Sequence, residues 1–270
     1  MTSATEAKVL DRDRAVVLAT VLVLAGLAWI YLWAEAGRME AMPAGGLMMG
    51  SPGNPGMSAM QPWTVPSLLL TFLMWSVMMV GMMLPSAAPA ILLYGSLARK
   101  NRGARSTVGS IGNFVAGYVV VWVMFSLAAT FLQAAFQSGR LLTPAMASAS
   151  VWLSGILFIS AGIYQWLPIK NACLKRCRTP LQFFMFRWRP GAAGAFRMGM
   201  EHGTFCVGCC WALMLLLFTA GVMNLLWVAL IAAFVFMEKL VPAGALVGRL
   251  TGVGLVLFGG GVIVVDAFAG

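Results

Sequence analysis

The sequence predicts an all-α protein, a polytopic bundle of about seven transmembrane helices with a cytoplasmic N-terminus. Of its 270 residues, 61% are hydrophobic and only 10% are charged, whereas a soluble domain of this size has roughly 25% charged residues. Runs of about 20 mainly apolar residues, each long enough to cross the hydrocarbon core of a bilayer, recur along the chain. The composition therefore indicates a protein that is surrounded by lipid.

Seven apolar segments are assigned as helices, taken in order from the N-terminus. The boundary between the fifth and the sixth is the least distinct, because only residues 221–224 separate them. The predicted helices cover residues 15–34, 66–94, 108–136, 146–168, 196–220, 222–240 and 245–266.

The formal net charge of +10 is distributed as membrane topology requires. Basic residues cluster before the first helix, after the second, after the fourth and around the turn between the sixth and seventh, while the alternate loops hold only Arg38 and Arg140. The positive-inside rule then places the N-terminus in the cytoplasm and the C-terminus outside. Topology explains the charge, so no nucleic-acid partner is expected. The clustered basic residues are Lys8, Arg12, Arg14, Arg99, Lys100, Arg102, Arg105, Lys170, Lys175, Arg176, Arg178, Arg187, Arg189, Arg197, Lys239 and Arg249.

The chain is predicted to form one membrane domain, residues 15–270, after a cytoplasmic tail of residues 1–14. Two long connections stand out. The outer loop 35–62 is rich in Gly, Pro and Met, and the cytoplasmic loop 169–195 interleaves basic residues with Phe and Trp. Such interleaving suits an amphipathic element on the anionic inner leaflet. The expected location is the bacterial inner membrane, with the lipid bilayer as the first partner.

The side chains that carry chemistry are concentrated in the fifth predicted helix. His202 is the only histidine of the chain, and Cys206, Cys209 and Cys210 are three of its five cysteines. At about 100° per residue, Met198, His202, Cys206 and Cys209 share a stripe roughly 80° wide, with Cys210 at its edge. Imidazole and thiolate bind soft and borderline transition metals. The pattern predicts a metal site, and packing alone is the alternative.

A second pair of cysteines lies in the basic loop, in Cys173-Leu174-Lys175-Arg176-Cys177. Three residues separate the thiols, so the pair is neither thioredoxin-like nor a common zinc knuckle. On a helix the two sulfurs would lie one turn apart on the same face. The pair is interpreted as further metal ligands or as resolving thiols for the helix-five cluster. Incidental cysteines in an interfacial loop are the alternative.

Methionines of the second predicted helix are candidate thioether ligands. Met74, Met78 and Met82 form one stripe, and Met79 and Met83 lie on nearly the opposite side of the helix. Thioethers bind copper(I) or silver(I) well and zinc poorly. Met78 and Met82 are therefore candidate ligands beside Met198, although methionine is also a flexible core residue.

Charged residues within the apolar segments are few, and each is a candidate for function. Glu201 could orient His202 or bind the metal, and Glu238 and Lys239 could pair with each other or with another helix. No Ser-His-Asp arrangement and no paired carboxylates indicate hydrolysis, so an enzymatic activity is not expected. A single histidine excludes an all-histidine iron, copper or haem site within this chain.

Three groups of motifs resemble those of a known family. The first is Met74-Trp75 with Met78-Met79 and Met82-Met83-Leu84-Pro85-Ser86-Ala87-Ala88-Pro89; the second is Tyr164-Gln165 with Pro168, Lys170, Cys173, Cys177, Arg178 and Pro180; the third is His202-Gly203, Cys206, Gly208-Cys209-Cys210-Trp211 and Leu213-Met214 with Glu238-Lys239.

On these residues the chain resembles the bacterial family of predicted metal-binding integral membrane proteins, a domain of unknown function sometimes labelled copper chaperone. The resemblance runs from about residue 66 to the C-terminus, and its Gly-Cys-Cys-Trp signature is specific. It implies metal binding by an integral membrane protein. The methionine-rich outer loop lies outside the pattern.

Three functions remain open from the sequence. The leading one is an inner-membrane protein that binds a soft metal for copper handling, delivery or transport, with copper(I) preferred and zinc second. A structural or accessory subunit of a membrane metalloenzyme complex is the next, and a membrane thiol–disulfide relay is the last. The expected partners are such a complex or a soluble metal chaperone.

Overall fold

The computed structural model describes residues 2–41, 63–102, 107–143 and 146–269. Within these ranges the chain forms ten helices, and its one extended pairing is an isolated bridge between Leu142 and Ser148. The all-α fold class is confirmed. The helices are α1 (Thr2–Ala41), α2 (Val65–Arg102), α3 (Thr107–Ser138), α4 (Val151–Tyr164), α5 (Pro168–Arg178), α6 (Pro180–Arg187), α7 (Ala192–Leu215), α8 (Leu217–Ala220), α9 (Leu225–Leu240) and α10 (Gly244–Ala269).

Five helical segments of the described ranges are long and apolar enough to cross a membrane: α1, α2, α3, α7 together with α8, and α10. A sixth span results if α4 and α5, which are bent by 64° relative to each other, are counted as one. The sixth predicted helix, residues 222–240, corresponds to α9, whose 16 residues fall short of the about 20 that a span needs. The multi-pass architecture is thus close to the seven helices expected.

The helix predicted at 146–168 differs from the structure in its boundaries. It begins after Ser150, whose hydroxyl accepts a hydrogen bond from the Leu153 amide, and α4 ends at Tyr164. Pro168 then opens α5. Because proline lacks an amide hydrogen and disfavours helical backbone at the preceding residue, it ends one helix and starts another. The bend at this point turns α5 away from the direction of α4.

Both long connections differ from plain loops where the structure describes them. The connection 169–195 consists of most of α5, all of α6 and the first turn of α7. Residues 35–41 of the methionine-rich loop continue α1, and residues 42–62 lie outside the described residues. The predicted N-terminal tail is also helical from Thr2 onwards.

α3 and α7 approach each other backbone to backbone. A side chain at Gly199 of α7 would collide with the Phe114 carbonyl, and one at Gly117 of α3 would collide with the Phe196 carbonyl. Small residues allow such close packing between membrane helices. The close approach lies in the first half of each helix, and Tyr118, the next residue of α3, reaches Cys206 of α7.

α2 is buried on more than one face. Met74, Met78, Met79, Met82 and Met83 all have an exposed fraction of 5% or less, although they occupy opposite sides of the helix. α2 contacts α1, α3 and α9, so both methionine stripes are enclosed by neighbouring helices. The sequence indicated that the two methionine stripes lie on opposite sides of the helix and so cannot line one path, and the structure agrees.

Candidate metal centre

Side chains from three helices meet at the sulfur of Cys206. Its Sγ lies 2.9 Å from Lys239 Nζ of α9 and 3.1 Å from the Tyr118 hydroxyl of α3. Both neighbours are also tied to α2, because Lys239 Nζ donates to Ser86 Oγ at 2.9 Å and the Tyr118 hydroxyl donates to the Met83 carbonyl at 3.0 Å. The Cys206 sulfur therefore lies in a buried polar cluster within an otherwise apolar bundle.

The other two cysteines of α7 are directed back toward Cys206. The Cys209 thiol donates to the Cys206 carbonyl at 3.0 Å, and the Cys210 thiol donates to the same oxygen at 2.9 Å. Residues three and four positions later lie one turn along the same side of a helix, so both thiols reach this carbonyl. All three sulfurs are buried, with exposed fractions of 1–2%.

The cysteine pair of α5 lies against the cysteines of α7. The Cys177 and Cys209 side chains lie next to each other. Cys173 Sγ faces Gly208, where an added Cβ would lie 2.8 Å from the sulfur, and the Tyr164 hydroxyl donates to the Gly208 carbonyl. All five cysteines are free thiols. The structure thus packs the two cysteines of α5 against the part of α7 that carries the other three.

Polar contacts, among them a buried ion pair, hold α5 in this position. Lys170 Nζ lies 2.5 Å from Glu238 Oε1 of α9, both side chains are only 2% exposed, and Lys170 also donates to Gln165 Oε1. At the surface, the Arg176 guanidinium lies 4.6 Å from the centre of the Phe205 ring. A buried ion pair within a membrane bundle is stabilised by its partner, and loss of one partner strands the other charge. The pair therefore anchors the helix that carries Cys173 and Cys177.

Glu238 and Lys239 have separate partners rather than each other. Successive residues on a helix point about 100° apart, so the carboxylate faces α5 while the ammonium faces the cysteine cluster of α7. The two residues connect the end of α9 to both thiol-bearing helices.

His202 is enclosed by aromatic rings one turn before Cys206. The ring centres of Phe114 and Tyr118 lie 6.0 Å from that of the imidazole, and the centre of Phe183 lies at 6.2 Å. The residue is 3% exposed, and its Nδ1 has no hydrogen-bond partner in the described part of the chain. Unpaired buried polar atoms are rare, and a bound ion is one of their explanations. This nitrogen is available for coordination.

The remaining candidate ligands fall into two groups. Met78, Met82 and Met198 are buried in the same hydrophobic cluster as the three cysteines of α7. Glu201 is instead partly exposed, and its carboxylate pairs with Arg187 and Arg189 at 3.3 Å and 3.2 Å. Ion pairs with two guanidinium groups occupy both oxygens of this carboxylate. The geometry therefore does not support Glu201 as a metal ligand.

The converging donors do not form a finished coordination sphere. Among the described residues, no group of three or more His, Cys, Asp and Glu side chains is arranged to hold a metal ion. The hydrogen bonds give the reason: the Cys209 and Cys210 thiols face a carbonyl, and the Cys206 sulfur faces Lys239. Coordination by these sulfurs requires side chains to change between staggered rotamers.

Sequence reasoning missed Tyr118 as a neighbour of Cys206 and Ser86 as a neighbour of Lys239. One signal was present for Tyr118, because polar and aromatic residues recur every four positions along one side of α3, and the structure buries all of them. Ser86 lies between two prolines, which masks any periodic signal. The stripe on α3 comprises Phe114, Tyr118, Trp122, Ser126 and Thr130.

Comparison with known proteins gives one family. A family model described as copper chaperone matches residues 72–262, which is more than two thirds of the 270-residue chain. The matched part includes most of α2, all five cysteines, His202 and Lys239. Curated proteins and solved structures give no match. The resemblance found in the sequence is therefore confirmed, and the chain belongs to the copper chaperone family.

Proposed function

We propose that this protein binds copper(I) as its cargo, within the membrane, at the thiols of α7. The observation that carries the proposal is that three buried cysteines of α7 lie on the turns that follow the unpaired imidazole of His202, with the two cysteines of α5 packed beside them. Sulfur and imidazole donors in an apolar surrounding suit copper(I). Membership of the copper chaperone family supports copper handling in general.

Cys206, Cys209, Cys210 and His202 are the proposed primary ligands. Their buried positions exclude water, which favours a soft ion of low charge over a strongly hydrated one. Met198 adds a thioether from the preceding turn of the same helix. Met78 and Met82 of α2 are further thioether candidates, and these donors disfavour zinc.

Cys173 and Cys177 are proposed to exchange copper with the cluster on α7. The contact between Cys177 and Cys209 supports this step, because the ion could pass between the two helices by exchange of one sulfur ligand for another. The positive-inside rule places the basic helices α5 and α6 at the cytoplasmic side of an inner membrane. A soluble metal chaperone or a membrane metalloenzyme complex on that side would be the donor or acceptor.

The same thiol contact makes a thiol–disulfide relay the second candidate. A relay would pass electrons through a reversible Cys177–Cys209 disulfide and needs an external thiol–disulfide partner. Titration of the purified protein distinguishes the candidates. A relay requires two thiols to disappear on mild oxidation and to return on reduction, whereas a copper site requires thiols that copper(I) protects from alkylation.

Metal content tests the leading proposal. Protein purified in detergent without oxygen would be loaded with copper(I), washed with a competing chelator and analysed for copper, wild type against Cys206→Ser with Cys209→Ser. Thr204→Ser is the matched control, because this residue lies on an exposed part of the same helix. We expect the double variant to lose its copper while the control keeps it. Equal copper in all three proteins would contradict the proposal.

A further inference from the structure

Lys239 places a positive charge beside the sulfur that we propose as a ligand. Its Nζ lies 2.9 Å from Cys206 Sγ and 2.9 Å from Ser86 Oγ, and the residue is 8% exposed. In the described part of the chain no carboxylate forms a salt bridge with it, and the neighbouring carboxylate of Glu238 is paired with Lys170. The charge of Lys239 therefore acts mainly on the sulfur cluster.

The direction of this side chain is unusual for its position in the chain. Lys239 is one residue from the end of α9, and lysines near the ends of membrane helices ordinarily extend toward the interface, where water solvates the ammonium. Here the ammonium turns inward to Cys206 instead. A neutral hydrogen-bond donor would be enough if Lys239 served packing alone. The burial of a charged ammonium therefore calls for a further explanation.

A fixed positive charge affects monovalent and divalent ions differently. Coulomb repulsion scales with the product of the charges, so at equal distance Lys239 opposes zinc(II) twice as strongly as copper(I) or silver(I). The effect is large in a buried site, because neither water nor salt screens it. The thiolate donors alone do not create this discrimination, since thiolates, unlike thioethers, bind zinc(II) well.

We propose that Lys239 is a specificity-determining residue, which makes the cysteine site select soft monovalent cations, copper(I) and silver(I), over zinc(II). The inference rests on the proposed function, because it concerns the same sulfur site. Lys239 adds selection by the charge of the bound ion, which the proposed ligands do not provide by themselves.

The test compares the ratio of zinc(II) affinity to silver(I) affinity among variants of the detergent-solubilised protein, all measured at the same pH. Silver(I) and zinc(II) affinities would be measured by competition with chelators for the wild type, Lys239→Met and Lys239→Gln. Lys100→Met is the matched control, because Lys100 is exposed at the end of α2 and its loss changes the net charge equally. We expect the zinc-to-silver affinity ratio to rise by at least about tenfold in both Lys239 variants and to stay unchanged in the control.

The possible results separate this inference from the proposed function. A wild type that binds neither silver(I) nor copper(I) would overturn the proposed function, and the inference with it. A wild type that binds silver(I), with the same ratio in both folded Lys239 variants, would overturn the inference alone. Equal loss of both metals in the two variants would also overturn it, because that result indicates a structural role. The glutamine variant keeps a polar group at the site and so guards against misfolding of the methionine variant.

Discussion

At the scale of single residues, Cys206 is the centre of the candidate site through both its side chain and its backbone. Its sulfur contacts Lys239 and Tyr118, and its carbonyl accepts hydrogen bonds from the thiols of Cys209 and Cys210. A serine at this position would keep the carbonyl and a hydrogen-bonding group but lose the soft donor. The loss of copper and the loss of fold can therefore be separated at this residue.

His202 is a second residue at which a substitution should change copper binding without changing the stability of the fold. Its Nδ1 has no partner in the described part of the chain, so His202→Leu removes no hydrogen bond at this atom and fills a similar volume. We expect the free energy of unfolding to stay within about 1 kcal/mol of the wild type, while copper(I) affinity falls at least about tenfold. Chelator competition and denaturant unfolding in detergent measure the two quantities. Unchanged affinity would remove His202 from the proposed ligand set.

At the scale of helices, the sequence predicted which residues share one face of a helix better than which helices pack against each other. A regular helix keeps about 100° per residue, so the stripe of Met198, His202, Cys206 and Cys209 could be derived in advance, and all four residues are buried. The end of the fourth predicted helix, at residue 168, lies beyond the observed end at Tyr164, because Trp166 and Leu167 keep the segment apolar up to Pro168. The docking of α5 was also beyond sequence reasoning, since it depends on a contact between residues 170 and 238, which are distant in the chain.

The glycines between α3 and α7 set how closely these helices pack. Gly199→Ala would place a Cβ against the Phe114 carbonyl, and backbone on both sides must then shift. We expect a loss of about 1–3 kcal/mol in the free energy of unfolding. Gly112→Ala is the control: nothing lies within 4 Å of the added Cβ, so we expect the higher helix propensity of alanine to leave stability equal or slightly higher. Equal effects of the two substitutions would contradict close packing at Gly199.

The buried pair of Lys170 and Glu238 should control how firmly α5 is docked. Lys170→Met leaves the carboxylate buried without its partner, which we expect to destabilise the protein by about 3–5 kcal/mol. The double variant with Glu238→Gln removes both charges and should recover part of this loss. Maleimide labelling of Cys177 reports the position of α5, and we expect faster labelling in the single variant than in the double one. The same slow rate in the wild type and both variants would show that the pair does not hold the helix.

At the scale of the whole molecule, composition and the recurrence of long apolar segments predicted the helical architecture well. The chain is all-helical within the described ranges, and five or six of its helical segments can cross a membrane. Large apolar side chains on the outside of the bundle, such as Leu22 at 66% and Leu257 at 70% exposure, match a lipid-facing surface. The count of spans was the weaker part, because α9 is apolar like its neighbours but shorter.

The orientation in the membrane remains a prediction of the positive-inside rule. Single cysteines introduced at Thr179, in the basic connection, and at Gly139, at the end of α3, would report it in a background with the five native cysteines replaced by serine. Both positions are exposed. We expect a membrane-impermeant maleimide added to intact cells to label Gly139→Cys but not Thr179→Cys. The reverse pattern would place the basic helices outside.

The central claim is that copper(I) is bound by the sulfurs of α7, and X-ray absorption at the copper edge tests it most directly. The sample is the full chain in detergent, loaded with copper(I), as wild type and as Cys206→Ser with Cys209→Ser. We predict a monovalent edge with sulfur-dominated coordination in the wild type, and a loss of copper or of its sulfur neighbours in the variant. Nitrogen and oxygen neighbours alone in the wild type, or identical spectra and copper content in both proteins, would contradict the account.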